Sequence, residues 1–372
     1  MPKQLVFLCG ARDFHAMDWY KSAKELVTDK DVFILTDLIK GEGYKKLITP
    51  NDKVFKLLIL DNFLFKHQSK FGHIWRNLIK LLVFPIQVII IKRFSRRFPN
   101  AIYHAHSMYY LFLGWAAGIP YVGTPQGSDI LLKPFSSRLY KYFTIKALNG
   151  AKGISVDSQA MKEKIIELTG LQAEIIQNGI DLESINSFLT QNLTGAVTRD
   201  QLLSMRGFTQ LYRIDHILQA RNSSVNYADF PITFIYPFYD ELYKESLKSL
   251  LKINDYDFGR VDRTRMYKIM ATSKLVFSIP ISDSSPRSVY EAIFCGCAVA
   301  IAYHRYYNDL PECMQARIIL INLNEKTWFD DAIEKANTIV LQPFTPTDQA
   351  INLFDQKMSF KKVEKLLFNY LI

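Results

Sequence analysis

The sequence contains little cysteine, with four in 372 residues. They are Cys9, Cys295, Cys297 and Cys313. This number and spacing exclude the disulfide framework typical of small secreted proteins. Cys295 and Cys297 flank one residue, which invites a zinc interpretation, but the nearby His304 and Cys313 do not complete a ligand set at typical spacing. We therefore expect no metal, and we expect the cysteines to pack as small apolar side chains.

The sequence also lacks an uninterrupted apolar run of the ~20 residues that a membrane-crossing helix needs. The longest run, Leu81–Ile91, is flanked by Lys80 and Lys92. The run near the beginning, Leu5–Gly10, is too short for the core of a signal peptide. We therefore expect a cytoplasmic protein.

Acidic residues are almost absent between Asn62 and Val156, where Asp129 is the single example. The basic residues of this segment are Lys66, Lys70, Arg76, Lys80, Lys92, Arg93, Arg96, Arg97, Lys133, Arg138, Lys141, Lys146 and Lys152. An ordinary solubilising surface would explain them, but so one-sided a surplus also indicates an anionic partner. A membrane surface fits better than nucleic acid, because each basic side chain near anionic lipid contributes ~1 kcal/mol. We expect a peripheral protein at the inner face of the membrane and no nucleic-acid partner.

Short β-branched runs alternate with longer helical patterns along the chain, which is typical of parallel sheets covered by helices. The pattern is interrupted by the polar, weakly periodic stretch Leu182–Val197 and then starts again. The sequence therefore predicts an α/β fold of two Rossmann-like domains, residues 1–190 and 191–372. A final amphipathic helix over roughly Asp348–Leu371 is a candidate to cross back to the first domain. Ligands of such sheets bind at the carboxyl ends of the strands.

The loop after the first predicted strand, at Gly10, lacks the full G-x-G-x-x-G spacing of a dinucleotide site, which counts against an NAD-dependent enzyme. The most informative segment is residues 278–292, SIPISDSSPRSVYEA. A buried strand runs there into a serine-rich turn that opens a helix near Arg287. A helix N-terminus favours anions, and an arginine can fork onto phosphate oxygens.

Two acids in this segment, Asp283 and Glu291, are separated by seven residues. Carboxylates suit ribose and sugar hydroxyls, because one carboxylate can accept two hydrogen bonds from a vicinal diol. An N-capped helix with a surface arginine is equally compatible with the segment taken alone.

The segment resembles the acid-x7-acid signature of the GT-B retaining glycosyltransferases, in particular family 4, including the family's Cys-Gly-x block at Cys295. Further blocks resemble that family in the same order along the chain. They are Tyr103–Ser107, Gly118–Val122, Gly127–Asp129, Ile154–Ser158, Gln177–Asp181 and Ser204–Arg213. The resemblance spans most of residues 5–300.

This resemblance implies site residues. The catalytic residues it implies are His106, Arg206 and Asp283. The donor-binding residues it implies are Gly10, Arg206, Arg213, Ser285, Pro286, Arg287, Ser288 and Glu291. His15 and Asp129 are the candidates on the acceptor side. In this scheme Glu291 holds the ribose hydroxyls, Arg206 and Arg213 neutralise the diphosphate, and Asp283 lies near the transferred sugar.

The resemblance also implies an activity, which is metal-independent, retaining transfer of a hexose or N-acetylhexosamine. The donor is a nucleoside-diphosphate sugar, with UDP expected, and it is a substrate, so no cofactor is needed. The acceptor is a glycan or lipid-linked molecule of cell-surface polysaccharide synthesis. Two departures from the family pattern, Asp283 for the usual Glu and Pro286 for the usual Gly, keep one alternative open, a non-catalytic, degenerate transferase serving as a membrane-docked subunit. A second alternative is a different enzyme on the same fold, a nucleotide-sugar epimerase.

Overall fold

The computed structural model describes residues 4–27, 31–40, 44–45, 48–64, 70–192 and 198–371. The chain forms two compact units, the first made of Met1–Gly179 with Gln356–Ile372 and the second of Ile180–Asp355. The division differs from the predicted boundary at residue 190, because the helix that follows Ile180 packs within the second unit and the last helix packs within the first.

The first unit is built on a parallel sheet with the strand order β3-β2-β1-β4-β5-β6-β7. The strands are β1 (Leu5–Leu8), β2 (Val32–Thr36), β3 (Lys53–Lys56), β4 (Ile102–His106), β5 (Tyr121–Thr124), β6 (Gly153–Val156) and β7 (Glu174–Ile175). The central strands are buried on both faces, as parallel strands between helical layers are.

The helices of the first unit alternate with these strands. They are α1 (Phe14–Leu26), α2 (Lys70–Arg97), α3 (Met108–Ala117), α4 (Gly127–Leu131), α5 (Lys133–Ser136), α6 (Arg138–Gly150) and α7 (Gln159–Thr169). Helix α2 spans 28 residues and continues through Pro85. The C-terminal helix, Gln356–Leu371, completes this unit by packing against α1, where the Gln356 Nε2 donates to the Asp18 carbonyl over 3.0 Å.

The second unit is built on a parallel sheet with the strand order β10-β9-β8-β11-β12-β13. Its strands are β8 (Gln201–Ser204), β9 (Ile232–Ile235), β10 (Tyr256–Gly259), β11 (Ser273–Ser278), β12 (Ala298–Ala302) and β13 (Ile318–Ile321). Its helices are α8 (Leu182–Asn192), α9 (Ile214–Asn222), α10 (Glu241–Ser246), α11 (Arg263–Thr272), α12 (Arg287–Phe294), α13 (Glu312–Gln315), α14 (Trp328–Ile339) and α15 (Asp348–Phe354). The predicted fold class, two Rossmann-like α/β domains, is confirmed.

Three local predictions need correction. The expected linker from Leu182 onward is largely helix α8, because Leu182, Ile185 and Phe188 place an apolar face in the core of the second unit. Strand β10 was not predicted. The predicted final helix is two helices, which meet at Asp355.

Gly179 closes the first unit with a left-handed backbone, φ +71°, against the C-terminal helix. A Cβ there would lie 2.6 Å from the Gln356 Cα and 2.9 Å from the Gln356 nitrogen. We expect Gly179→Ala to lower the free energy of unfolding by about 2–4 kcal/mol, combining backbone strain with overpacking. Chemical denaturation measures this.

Gly170 supplies the matched control, since its φ is +74° and a Cβ added there would meet nothing within 4 Å. Gly170→Ala should therefore report the backbone cost alone, about 1–2 kcal/mol. Equal losses in the two variants would contradict the close packing of Gly179 on the C-terminal helix.

Candidate functional site

In the first unit, the carboxyl end of β1 leads to Gly10, which lies against a buried tyrosine. A Cβ on Gly10 would approach the Tyr110 Oη to 2.6 Å. Tyr110 in turn donates a hydrogen bond to Asp37, a fully buried carboxylate just after β2. Gly10 therefore has a packing reason to be glycine, and its predicted place near the donor phosphates stays a prediction.

His106 ends β4 and is 2% exposed. Its Nε2 lies 3.8 Å from the Asp13 Oδ2, and its ring centroid lies 5.5 Å from that of Trp19. Within the described part of the chain, its Nδ1 has no hydrogen-bond partner. Burial lowers the pKa of His106, against the opposing effect of Asp13 and Asp129. An uncharged imidazole can donate a hydrogen bond from one ring nitrogen and accept one at the other.

The backbone immediately after His106 is strained. Ser107 has φ 70° and ψ 153°, outside the left-handed basin that non-glycine residues occasionally use. Its N–H donates to the Thr124 carbonyl over 2.9 Å, which fixes the turn between β4 and α3. Strain of this kind is concentrated at functional sites and agrees with a working role for His106.

His104, two residues earlier, has a structural environment. It is fully buried, and its Nε2 lies 2.9 Å from the Thr124 Oγ1. Burial holds the pKa of His104 well below its usual value. His104 therefore packs within the sheet, whereas His106 ends the strand.

The two predicted acceptor-side residues lie at different places on this edge. Asp129 is buried and accepts hydrogen bonds from the Met108 N–H over 3.1 Å and from the Lys133 ammonium over 2.6 Å. These bonds connect α3 to α4, so the burial of Asp129 has a structural cause that does not involve an acceptor molecule. His15 is half-buried in the first turn of α1, and its N–H donates to the Asp13 carboxylate over 2.9 Å. Their roles toward an acceptor stay predictions.

The buried histidines make stability depend on pH. His104 and His106 have lowered pKa values in the folded state, so they stay uncharged while the unfolded chain takes up protons below about pH 6.5. The unfolded state then binds more protons, and the free energy of unfolding falls from pH 6.5 towards the folded pKa values. The limiting slope is ~1.4 kcal/mol per pH unit for each histidine. Between pH 7.5 and pH 5.5 the melting temperature should fall less in His104→Gln than in the wild type. Equal falls in the two proteins would contradict this.

In the second unit, Arg206 follows β8 and bonds two residues of the signature segment. Its Nη1 donates to the Ser288 Oγ over 2.8 Å, and its Nη2 pairs with the Asp283 carboxylate. The guanidinium carbon lies 4.9 Å from the centroid of the Tyr212 ring. Burial lowers the pKa of Arg206, and the nearby Tyr212 partly offsets this shift. Arg206 is thus held rigidly at the carboxyl edge of the sheet.

The Arg206 Nε is buried and, among the described residues, has no hydrogen-bond partner. Two of the guanidinium nitrogens are engaged by Asp283 and Ser288. A bound diphosphate would therefore compete with Asp283 for the same guanidinium. Asp283 is therefore paired with Arg206, the residue predicted to bind the phosphates. That Asp283 lies near the transferred sugar stays a prediction.

The serine-rich turn leads into α12 as the sequence predicted. Pro286 is the N-cap, with φ −78° and ψ 94°, and its carbonyl accepts the Val289 N–H over 3.0 Å. The Ser285 Oγ accepts from the Tyr290 Oη over 3.4 Å. The first N–H groups of a helix have no intrahelical acceptor, so the start of α12 at Arg287 presents donors to an anion.

Glu291 lies one turn into α12 and is 8% exposed. Burial raises the pKa of Tyr267, and the charge of the Glu291 carboxylate raises it further. The Tyr267 hydroxyl is buried and, in the part of the chain that is described, has no hydrogen-bond partner. A carboxylate can accept two hydrogen bonds from a diol.

A further histidine, His304, belongs to the candidate site of the second unit. The sequence indicated it only as an incomplete metal ligand. Its Nε2 lies 3.0 Å from the Pro280 carbonyl, and its ring stacks on Tyr306 at 6.0 Å. Burial lowers the pKa of His304, and the charges of Arg213 and Arg206 lower it further. His304 follows β12 and the two arginines follow β8, so all three lie towards the carboxyl edge of the same parallel sheet. The signal in the sequence was the position of His304, two residues after the apolar run Ala298–Ala302.

Arg213 has a left-handed backbone, φ 51° and ψ 44°, where a short 3₁₀ turn becomes α9.

The cysteines have structural environments. The Cys297 Sγ donates to the Met270 carbonyl over 3.0 Å, and the Arg199 guanidinium donates to the Cys295 carbonyl over 2.7 Å. Across the described residues, no group of three or more His, Cys, Asp or Glu side chains is placed to hold a metal ion.

The sequence model of Glycosyltransferase Family 4 matches residues 66–184. HepE of Anabaena, solved with UDP, superposes with a TM-score of 0.70 at 17% identity, over 99% of this chain and 100% of that one. Sucrose-phosphate synthase of Thermosynechococcus elongatus superposes at 0.70 and 12% identity, over 99% and 98%. The UDP-forming α,α-trehalose-phosphate synthase of Burkholderia vietnamiensis superposes at 0.72 and 9% identity, over 100% and 99%.

The chain has the GT-B fold. The resemblance to family 4 glycosyltransferases is confirmed by the family match over residues 66–184. No curated protein matches the sequence. Structural similarity at these identities shows the fold, and the family match ends at residue 184, before the predicted donor segment. The roles of Arg206, Asp283 and Glu291 in this GT-B protein therefore depend on the geometry of its second unit.

Proposed function

We propose that this chain is a retaining glycosyltransferase that moves a hexose or N-acetylhexosamine from a nucleoside-diphosphate sugar, with UDP as the nucleotide. The observation that carries the proposal is the cluster at the carboxyl edge of the second sheet. There the buried Arg206 bonds Ser288 at the start of α12, and the buried Glu291 follows one turn later. HepE, which shares the fold, is described in complexes with UDP and with UDP-glucose.

The cluster suits the departure of a nucleoside diphosphate. Negative charge grows on the leaving phosphate as the bond to the anomeric carbon breaks, and prepositioned cations and N–H donors stabilise that charge. Arg206, Arg213 and the start of α12 supply them. Glu291 supplies two acceptor oxygens for the ribose hydroxyls. These groups neutralise the diphosphate without a metal ion.

The retaining step follows from the resemblance. The bond from the anomeric carbon to the diphosphate oxygen breaks, and a bond to the acceptor oxygen forms on the same face of the sugar. The proton of the acceptor hydroxyl passes to the leaving phosphate, so no protein nucleophile is needed. His106, which ends β4 and whose pKa is lowered by burial, is the proposed contact to the sugar.

The proposed acceptor is a glycan or lipid-linked molecule of cell-surface polysaccharide synthesis. Its support is the surplus of basic residues between Asn62 and Val156, which favours an anionic membrane surface as partner. The proposed location is the cytoplasm, at the inner face of the membrane.

Incubation with UDP-sugars tests the activity, with release of UDP and the anomeric configuration of the product followed by NMR. Transfer with retention supports the proposal. Interconversion of the sugar without acceptor would favour the epimerase, and binding without turnover across donors and acceptors would favour the non-catalytic subunit.

A further inference from the structure

Helix α2 carries a long apolar stripe that the described part of the first unit leaves exposed. Its large aliphatic side chains are between 45% and 71% exposed. They are Ile74, Leu78, Leu81, Leu82, Ile86 and Ile89. The three- and four-residue spacings place them on one face, about 22 Å long at 1.5 Å per residue. We call these six residues the α2 stripe.

The opposite face of α2 is part of the core of the first unit. Gln87 and Ile91 are fully buried, and the Phe94 ring lies 4.9 Å from that of Phe55 on β3. The Gln87 Nε2 donates to the buried Asp37 over 3.3 Å. By length and composition, Ile74–Arg97 could cross a membrane. These core contacts instead require the helix to lie along a surface, since crossing would remove that face from the sheet.

Exposed basic residues lie beyond the C-terminal end of the stripe. Lys92, Arg93, Arg96 and Arg97 are exposed on the last turns of α2. Helix α6 packs against the same neighbour, α3, and exposes Leu139 and Tyr142. Large apolar side chains bordered by cations are typical of helices that lie in the interface of an anionic bilayer.

We propose that the α2 stripe inserts into the acyl layer of an anionic membrane and holds the first unit there as a monotopic protein. This extends the membrane partner of the proposed function, from electrostatic contact to insertion, and it does not require transferase activity. The contact has two parts. The basic residues attract the anionic lipid, and the stripe buries apolar area that salt does not screen.

The charge pattern favours a bilayer over a second copy of the chain. Helix α2 has seven basic residues and no acidic one, so pairing it with a second copy in either direction would bring two positively charged helices together. Anionic lipid headgroups neutralise those cations while the acyl chains cover the stripe.

The test compares the full chain with the variant Ile74→Gln, Leu81→Gln, Leu82→Gln. Its matched control replaces Val225, Leu242 and Ile253 with Gln, three apolar residues of the second unit that are more exposed still. Binding to vesicles of 30% phosphatidylglycerol in phosphatidylcholine is measured by sedimentation in 50 mM and 500 mM NaCl. We expect the wild type and the control to stay bound in 500 mM NaCl. The stripe variant should bind at least ~100-fold more weakly there, because three side chains lose their apolar burial.

A depth measurement separates insertion from adsorption. Measured against the wild type, which has four tryptophans of its own, Leu82→Trp should add fluorescence that lipids brominated on the acyl chain quench, and Leu242→Trp should add fluorescence that they do not quench. Equal vesicle binding of the wild type and the stripe variant, or loss of all binding in 500 mM NaCl, would overturn insertion. A wild-type dimer in light scattering that the stripe variant dissociates would assign the stripe to a second copy and overturn it as well. None of these readouts uses a sugar donor, so failure here leaves the transferase proposal standing.

Discussion

Glu291→Ala is expected to weaken binding of UDP at least ~100-fold, because the two hydroxyls of the ribose lose charge-assisted hydrogen bonds worth about 1.5–3 kcal/mol each. The carboxylate is buried on α12, where water replaces it poorly. Isothermal titration calorimetry measures the loss. Thermal melting of the variant without ligand checks that the unit remains folded.

Two further variants sharpen this result. Glu291→Gln keeps one carbonyl acceptor and should retain part of the affinity. Glu312→Ala removes an exposed glutamate of the same unit and should bind UDP as the wild type does. Unchanged affinity in Glu291→Ala would remove Glu291 from the donor site.

Arg206→Ala is expected to lower kcat by about 10²–10³, the usual effect of removing one preorganised group that stabilises charge in the transition state. Arg206→Lys should recover little, because an ammonium cannot replace the forked contacts to Asp283 and Ser288. Initial rates at saturating donor measure the effect. Arg265→Ala, on an exposed surface of the same unit, is the matched control.

The pairing of Asp283 with Arg206 adds a second test. If the diphosphate displaces Asp283 from the guanidinium, Asp283→Asn should bind UDP more tightly than the wild type while transferring sugar more slowly. Weaker UDP binding in Asp283→Asn would contradict this competition. Wild-type kcat in Arg206→Ala would exclude the arginine from the transition state.

Much of the fold could be predicted from local pattern, because buried parallel strands are continuous apolar runs. Strand β12, Ala298–Ala302, is such a run, made only of alanine, valine and isoleucine. Strand β10 was missed because its Tyr256–Gly259 side chains are largely exposed and make no apolar run. Helix α8 was missed because its polar composition hides the apolar face that begins at Leu182 and is recognisable only beside the core that covers it.

The site could be predicted where the chain itself brings residues together. The serine-rich turn, the start of α12 and Glu291 lie within one short segment. The contact between Arg206 and Asp283 joins residues 77 positions apart, and His304 comes from a different strand end. Such contacts depend on the strand order of the sheet, which local spacing does not contain. The apolar stripe of α2 was likewise hidden, since the sequence does not show which face of a helix the core covers.

The most direct test of the central claim is thermal shift of the full chain with a panel of nucleoside diphosphates and their sugars, in the wild type and in Glu291→Ala. We expect a large stabilisation by uridine nucleotides that the variant loses, which would establish the donor site on the second unit. No stabilisation by any member of the panel would contradict a nucleotide-sugar-dependent transferase.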